Sequence, residues 1–259
     1  MTGAVTSPDG VPVSYETHGA GTVALVFVHG WSCDRSYWRE QAEPFSHEFQ
    51  VVTVDLAGHG ESGRGREAWT IGAFGGDIAA VVEELDLKRI ILIGHSMGGD
   101  VIVEAARRLP GRVAGLVWVD AYRRLGISRT PEEVQALMAP FRTAFEETTR
   151  TFVRGMFLPD TDESLAEWVV ADMSAAPPGI ALGALEAAVT FDRELTEALR
   201  ELNLPVVAIN PDGGPTDIES MRRYGVDVVV MPGVGHFLMM EDPAGFNPLL
   251  TEVIERLLR

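Results

Sequence analysis

The chain has 259 residues, of which 46% are apolar, and a formal charge of −17 from 21 basic and 38 acidic side chains. This length fits one large domain with an insertion, and the apolar share excludes an intrinsically disordered chain. The negative charge disfavours nucleic acid and anionic lipid, and no apolar run approaches the ~20 residues of a membrane span. We therefore expect neither nucleic acid nor a membrane as partner.

Short apolar runs alternate with helix-like segments along most of the chain. Turn residues Pro8-Asp9-Gly10 separate two β-like runs and predict a hairpin. The predicted strands are Val5–Ser7, Val11–Glu16, Val23–Val28, Val51–Val54, Ile90–Ile93, Val113–Val119, Val206–Ile209 and Val226–Met231. The predicted helices are Ser36–Phe45, Ile71–Leu85, Met97–Leu109, Thr216–Tyr224 and Phe246–Leu258. This alternation predicts an α/β fold with a doubly wound, mostly parallel sheet.

One segment, residues 121–190, interrupts the alternation because it contains no strand-like run. We predict a helical cap here, inserted into a core domain formed by residues 1–120 and 191–259. The alternative is a set of ordinary helices packed on the core. Loops that follow strand ends carry the ligand sites of open α/β sheets, which favours the cap. Five apolar side chains of the segment are candidates for substrate binding: Phe141, Phe145, Met156, Phe157 and Trp168.

A candidate nucleophile lies in Gly94-His95-Ser96-Met97-Gly98, which matches the pattern G-x-S-x-G. The pattern by itself is weak, but a predicted buried strand precedes it and a predicted helix follows it. A strand–serine–helix turn is the context of a nucleophile elbow, in which small glycines allow the chain to reverse. The helix N-terminus behind the serine also favours developing negative charge. Ser96 is therefore the predicted nucleophile.

A serine hydroxyl needs a base to take its proton, and His236 is the best placed of the six histidines. It follows the predicted strand Val226–Met231, at the same sheet edge as Ser96, in a glycine-rich loop. A buried structural histidine is the alternative interpretation. His95 is too close in sequence to fold back onto Ser96.

Four motifs occur in the order and spacing of the α/β-hydrolase superfamily, which this sequence resembles from about residue 10 to the C-terminus. They are His29-Gly30-Trp31, Asp55-Leu-Ala-Gly-His-Gly60 with Ser62, Gly94-His-Ser-Met-Gly98 and Gly235-His-Phe237. The resemblance implies an eight-stranded α/β-hydrolase fold. It also implies that Ser96 forms an acyl-enzyme with His236 as base, and that the N–H groups of Trp31 and Met97 form the oxyanion hole. His29 and the Asp55–Gly60 loop are then expected to be structural.

The third member of the triad departs from the common pattern. Related hydrolases place the acid in the loop after the seventh strand. In this sequence the corresponding position is Gly214, and Asp212 lies two residues before it. Asp217 has the character of a helix N-cap. Asp120 ends the predicted strand Val113–Val119, an arrangement that resembles haloalkane dehalogenases. We predict Asp120 as the acid, with Asp212 as the alternative.

The resemblance points to a serine hydrolase that cleaves a carboxylic ester, thioester or lactone of a small, mainly apolar substrate. Alternatives are a carbon–carbon-bond hydrolase, a cofactorless perhydrolase, or a ligand sensor built on this fold. No His, Asp and Glu cluster has metal-ligand spacing and no G-x-G-x-x-G follows the first long strand, so no metal or cofactor is expected. The single cysteine, Cys33, and an N-terminus without signal-peptide character predict a cytoplasmic protein. Its expected oligomeric state is monomer or homodimer.

Overall fold

The computed structural model describes residues 1–259 and contains one eight-stranded sheet. The strands are β1 (Thr2–Thr6), β2 (Pro12–His18), β3 (Ala24–Val28), β4 (Gln50–Val54), β5 (Ile90–His95), β6 (Val113–Val119), β7 (Val206–Pro211) and β8 (Val226–Met231). Their order in the sheet is β1-β2-β4-β3-β5-β6-β7-β8. Strands β1 and β2 pair antiparallel, as does β2 with β4, and every other pair is parallel. The predicted fold class is confirmed.

Ten α-helices complete the chain: α1 (Arg39–Ser46), α2 (Ile71–Glu84), α3 (Gly98–Arg108), α4 (Pro131–Thr143), α5 (Phe145–Arg154), α6 (Glu163–Ser174), α7 (Pro178–Leu202), α8 (Ile218–Arg223), α9 (Leu238–Glu241) and α10 (Pro243–Leu258). Helices α2 and α3 pack against each other on one side of the sheet, and α1 and α10 pack against each other on the other side. This layering explains why every residue of β3 and β5 is buried, as their continuous apolar runs predicted.

The segment between β6 and β7 contains no strand and carries the four helices α4 to α7. Local sequence starts two of these helices: Thr130 and Glu133 form a capping box at α4, and Asp162 caps α6. The predicted end of the insertion at residue 190 is not marked by a break, because α7 continues to Leu202. Its C-terminal half buries Leu195 and Leu199 and packs along α3.

The insertion and the sheet share one hydrophobic core. Buried side chains of the insertion, among them Met138 and Val169, belong to the same continuous cluster as Phe27 and Trp118 of the sheet. No single helix has the length and apolar character of a membrane span. Helices α6 and α7 meet that test only when counted together, and they are bent by 101° at their junction.

Candidate active site

Ser96 lies on a sharp turn between β5 and α3. Its φ of 52° is in the left-handed region, which non-glycine residues adopt rarely and usually at functional sites. The turn has no room for side chains on either side. A Cβ at Gly94 would lie 2.2 Å from the Gly98 carbonyl oxygen, and one at Gly98 would lie 2.5 Å from the Val28 carbonyl oxygen. The glycines are therefore required by close backbone approach, as the sequence pattern indicated.

His236 and Asp120 form a hydrogen bond at the same end of the sheet. The distance between His236 Nδ1 and Asp120 Oδ2 is 2.8 Å. Because an ionised carboxylate only accepts hydrogen bonds, the proton lies on Nδ1 and the lone pair of Nε2 is left free. Ser96 and His236 line one cavity, although no hydrogen bond joins them. Such bonds commonly tighten only when substrate is bound.

Asp120 is shared between two donors. Arg123 Nε and Nη2 donate to Asp120 Oδ1 and Oδ2 at 3.1 Å and 3.2 Å. Burial of the Asp120 carboxyl raises its pKa, but the hydrogen bonds and charges of His236 and Arg123 outweigh burial, so the pKa lies below its usual value. The carboxylate is therefore ionised at neutral pH. Asp120 also has a positive φ, of 41°.

The alternative acid, Asp212, does not reach the histidine. It is exposed, and its Oδ1 accepts the Gly233 N–H at 3.0 Å. Gly214 lies instead against the arginine: a Cβ there would be 2.6 Å from Arg123 Nη1. Asp217 caps α8 by accepting the Ser220 N–H at 2.9 Å, as its sequence context indicated.

The loop that carries His236 is held by a carboxylate that sequence reasoning missed. Glu241 accepts the N–H groups of Gly235 and Phe237, both at 3.0 Å, and the Thr161 hydroxyl at 2.9 Å. His95 Nε2 donates to the His236 carbonyl oxygen at 2.9 Å. Glu241 and His95 therefore both hold the loop, and Thr161 in turn holds Glu241. A Glu shortly after the loop histidine was the only sequence signal.

Two backbone N–H groups next to Ser96 are free. Neither Trp31 N–H nor Met97 N–H donates a hydrogen bond within the chain, and both residues line the cavity. Met97 immediately precedes α3, so its N–H shares the positive end of the helix dipole. The position of Trp31 is fixed by its indole Nε1, which donates to the Ala181 carbonyl of α7 at 2.7 Å. This arrangement can stabilise an oxyanion formed on Ser96.

The cavity has a volume of about 670 Å³ and contains Ser96, His236 and Asp120 in its wall. Of the five candidate substrate-binding residues, only Met156 lines it. Phe141 is buried and packs edge-on against Trp31. Phe145 also packs against Trp31, and Phe157 stacks on Phe237 at 5.1 Å, so both lie behind the wall.

Trp168 lies outside this cavity, contrary to the prediction. Its ring packs against Tyr37 and under the Arg39 guanidinium in a separate surface hollow, and 39% of it is exposed. The helical period of α6 identifies the residue as part of an apolar face but does not say which neighbour that face meets. The insertion supplies other apolar lining residues in its place: Ile127, Phe152, Met173, Leu185, Ala188 and Val189.

Comparison with known proteins identifies the family of this chain. The model of the alpha/beta hydrolase family matches residues 25–249. The chain belongs to the alpha/beta hydrolase family. A pimeloyl-(acyl-carrier protein) methyl ester esterase of Aliivibrio salmonicida is 29% identical over 248 residues, which cover 93% of this chain and 85% of that protein. A thermophilic esterase from Thermogutta terrifontis has a TM-score of 0.81 at 27% identity, with 99% of both chains covered.

A third relative of this alpha/beta hydrolase is a non-heme chloroperoxidase of Streptomyces lividans. It is 38% identical over 122 residues, which cover 46% of this chain and 44% of that protein. The chain spans less than two thirds of the length of several curated relatives that it matches. The esterases among these similar proteins support a hydrolase.

The other family motifs of the hydrolase have structural positions. His29 Nε2 accepts the Leu56 N–H at 3.0 Å, and Asp55 accepts the N–H groups of Arg35 and Glu61 at 2.8 Å and 2.9 Å. Burial lowers the pKa of His29 to about 4. It lowers those of His59 and His95 to about 3, where a neighbouring histidine adds to the effect. All three are therefore neutral and outside the reach of acid–base chemistry near pH 7. The structure contains no group of three or more His, Cys, Asp or Glu side chains placed to hold a metal ion.

Proposed function

We propose that the protein is a serine hydrolase that cleaves a carboxylic ester, thioester or lactone through an acyl-enzyme on Ser96. The observation that carries this proposal is the hydrogen bond of 2.8 Å between His236 and Asp120, in the cavity that also holds the strained Ser96. A buried carboxylate on Nδ1 leaves Nε2 as an acceptor, which is the state a general base requires. The esterases with similar sequence and structure support the same reaction class.

The proposed reaction has two halves. His236 Nε2 takes the Ser96 proton while the oxygen attacks the substrate carbonyl, and the N–H groups of Trp31 and Met97 bind the resulting oxyanion. The intermediate then expels the alcohol or thiol, which receives the proton from His236. Water, deprotonated by the same histidine, attacks the acyl-enzyme and releases the acid. Each oxyanion donor is worth about 3–4 kcal/mol in the transition state.

The proposed substrate is small, with a mainly apolar body. A cavity of about 670 Å³ is of the size that binds ordinary small molecules. Its apolar lining residues come mostly from the α4–α7 insertion, so we assign this insertion the role of a cap that selects the acyl or alcohol group. Met156 and Phe152 are two of these lining residues.

The test is a panel of short- and long-chain esters, thioesters and lactones with the wild-type protein and Ser96→Ala. We expect repeated turnover by the wild type on at least one class and none by Ser96→Ala. Release of about one equivalent of product without further turnover would favour a ligand sensor. Full activity in Ser96→Ala would refute the proposal.

A second candidate activity is perhydrolysis, which the similarity to a chloroperoxidase favours. It would use the same acyl-enzyme, with hydrogen peroxide in place of water as the attacking nucleophile and a peracid as product. The assay supplies an ester with and without hydrogen peroxide and measures peracid against acid. Exclusive formation of the acid would exclude this activity.

A further inference from the structure

Two polar side chains lie together in the wall of the cavity, and the proposed triad uses neither. Asp100 belongs to the first turn of α3, one helical turn after Ser96, and Tyr122 follows β6. The Tyr122 hydroxyl donates a hydrogen bond to Asp100 Oδ1, and both residues line the cavity. Only 3% of Asp100 is exposed. Asp100 is therefore buried and Tyr122 partly buried, in a wall that combines apolar residues with charged side chains such as Arg124 and Glu133.

The second oxygen of this carboxyl has no partner in the protein. Asp100 Oδ2 accepts no hydrogen bond from the chain, yet it is not sealed off from the cavity. An acceptor that faces a cavity is free to take a hydrogen bond from a group bound there. Burial raises the pKa of Asp100 well above its usual value. A bound hydrogen-bond donor would supply what the folded chain does not.

No cation of the protein fills that role. Arg129 is in the same wall, but its Nη1 donates to Asp192 Oδ2 at 2.8 Å, so its charge is already paired. No arginine or lysine forms an ion pair with Asp100. Because the Tyr122 proton is already given to Asp100, the free positions of the pair are acceptors when the Asp100 carboxyl is ionised, and a bound hydrogen-bond donor favours that ionised form.

We propose that Asp100 and Tyr122 form a polar subsite that binds an O–H or N–H group of the substrate. This rests on the proposed ester hydrolysis and narrows its substrate class to hydroxylated or N–H-bearing esters and lactones. The helix rises ~5.4 Å per turn, so the subsite lies within a few bonds of the carbonyl that Ser96 would attack. The apolar walls then hold the rest of the molecule, and the pair fixes its orientation.

The competing explanation is that the pair only ties α3 to the loop after β6. The two explanations differ in what they predict for substrate preference. A purely structural pair affects stability and all substrates alike. A subsite affects the ratio between substrates that differ at one position.

The experiment uses two series of substrates. The first varies the acyl group and compares butanoate esters that carry a hydrogen, a hydroxyl or a methoxy group at carbon 2 or 3. The second varies the alcohol and compares ethylene glycol monoesters with propyl esters. We expect the wild type to prefer the hydroxyl compound of one series over its unsubstituted partner by about tenfold or more in kcat/KM, the size of one hydrogen bond to a charged group. Methoxy compounds, which lack the donor, should not share this preference. Equal kcat/KM for hydroxyl, methoxy and unsubstituted esters would overturn the subsite.

Asp100→Asn provides the sharper test because it nearly preserves shape. If its oxygen keeps the bond from Tyr122, its NH₂ group is turned to the cavity and becomes a donor. The preference should then shift from the hydroxyl ester toward the methoxy ester by about tenfold in their ratio. Tyr122→Phe should reduce the hydroxyl preference in part. Asp227→Asn, an exposed substitution on β8, is the matched control and should leave the ratio unchanged.

Failure of this inference can be distinguished from failure of the proposed function. Calorimetric titration of the same esters into Ser96→Ala measures binding without turnover. Tighter binding of the hydroxyl ester, lost in Ser96→Ala/Asp100→Asn, supports the subsite even if no ester is hydrolysed. Turnover of esters with no difference in ratio or binding between wild-type and Asp100→Asn backgrounds would overturn the subsite and leave the hydrolase assignment intact.

Discussion

Replacing Asp120 by asparagine keeps the shape of the side chain and removes its charge. In the structure both carboxylate oxygens accept hydrogen bonds, Oδ1 from Arg123 and Oδ2 from Arg123 and His236. An amide has only one oxygen, so its NH₂ group must oppose a donor of Arg123 or the Nδ1–H of His236. When it opposes His236, the imidazole carries its proton on Nε2 and loses the lone pair that would accept the Ser96 proton.

This change of tautomer costs on the order of 10⁴ in kcat, or about 5 kcal/mol at ~1.4 kcal/mol per decade. The assay is kcat on the best ester of the panel for wild type, Asp120→Asn and Asp212→Asn, with Tm measured alongside. Asp212→Asn is the matched control, because Asp212 is exposed and accepts only the Gly233 N–H. We expect it to keep most of the activity. A nearly inactive Asp212→Asn beside an active Asp120→Asn would show that the acid follows β7 and that the reasoning from β6 is wrong.

Four further outcomes are expected. Ser96→Ala should lose all labelling by a fluorophosphonate probe, and wild-type labelling of this variant would exclude Ser96 as nucleophile. Met156→Ala should shift the chain-length preference a few-fold per carbon, since a buried methylene is worth ~0.8 kcal/mol, whereas Trp168→Ala should leave the short-to-long ratio of kcat/KM unchanged. Activity should survive exhaustive chelation and dialysis; a loss restored only by a metal ion would contradict the expected absence of a cofactor. The free energy of unfolding should fall as the pH drops below about 6.5, the ordinary pKa of histidine. The cause is that His29, His59 and His95 are buried and stay neutral in the folded protein, whereas the same histidines take up protons in the unfolded chain. Denaturant unfolding at several pH values should show a decrease of up to ~1.4 kcal/mol per pH unit for each histidine down to about pH 4. Two buried carboxyls partly offset it, because burial raises the pKa of Asp77 to about 6 and that of Asp100 well above its usual value. A free energy of unfolding that stays constant over this range would contradict the prediction.

The parts of the site that the sequence predicted well are local. The turn around Ser96 depends on two glycines and on the strand and helix that flank it, all within one short stretch. The strands were recognisable because burial on both faces leaves continuous apolar runs. The N-terminal hairpin was located less well: β1 is Thr2–Thr6, whereas the apolar pattern predicted Val5–Ser7, because one edge strand leaves a weak pattern.

The parts that escaped prediction depend on which surfaces meet. Phe152 lines the cavity and Trp168 does not, although both lie on amphipathic helices of the insertion. Periodicity gives the apolar face of a helix but not the neighbour that covers it. The Asp100–Tyr122 contact likewise joins α3 to the loop after β6 and leaves no local pattern. The choice between Asp120 and Asp212 stayed open because both aspartates follow strands at the same sheet edge.

The α4–α7 insertion leaves the sheet after β6 and returns to β7, its immediate neighbour in the sheet. A segment that connects two adjacent strands can be replaced by another without changing any strand pairing. Asp120 directly follows β6, so it would remain with the sheet in such a replacement. With the role proposed for the insertion, substrate range would be set by a replaceable part of this molecule. A graft would have to reproduce the hydrogen bonds between the insertion and the core, among them Trp31 indole to Ala181, His236 N–H to the Met156 carbonyl, and Thr161 hydroxyl to Glu241. Chimaeras that keep these bonds could acquire new specificities while retaining the same core.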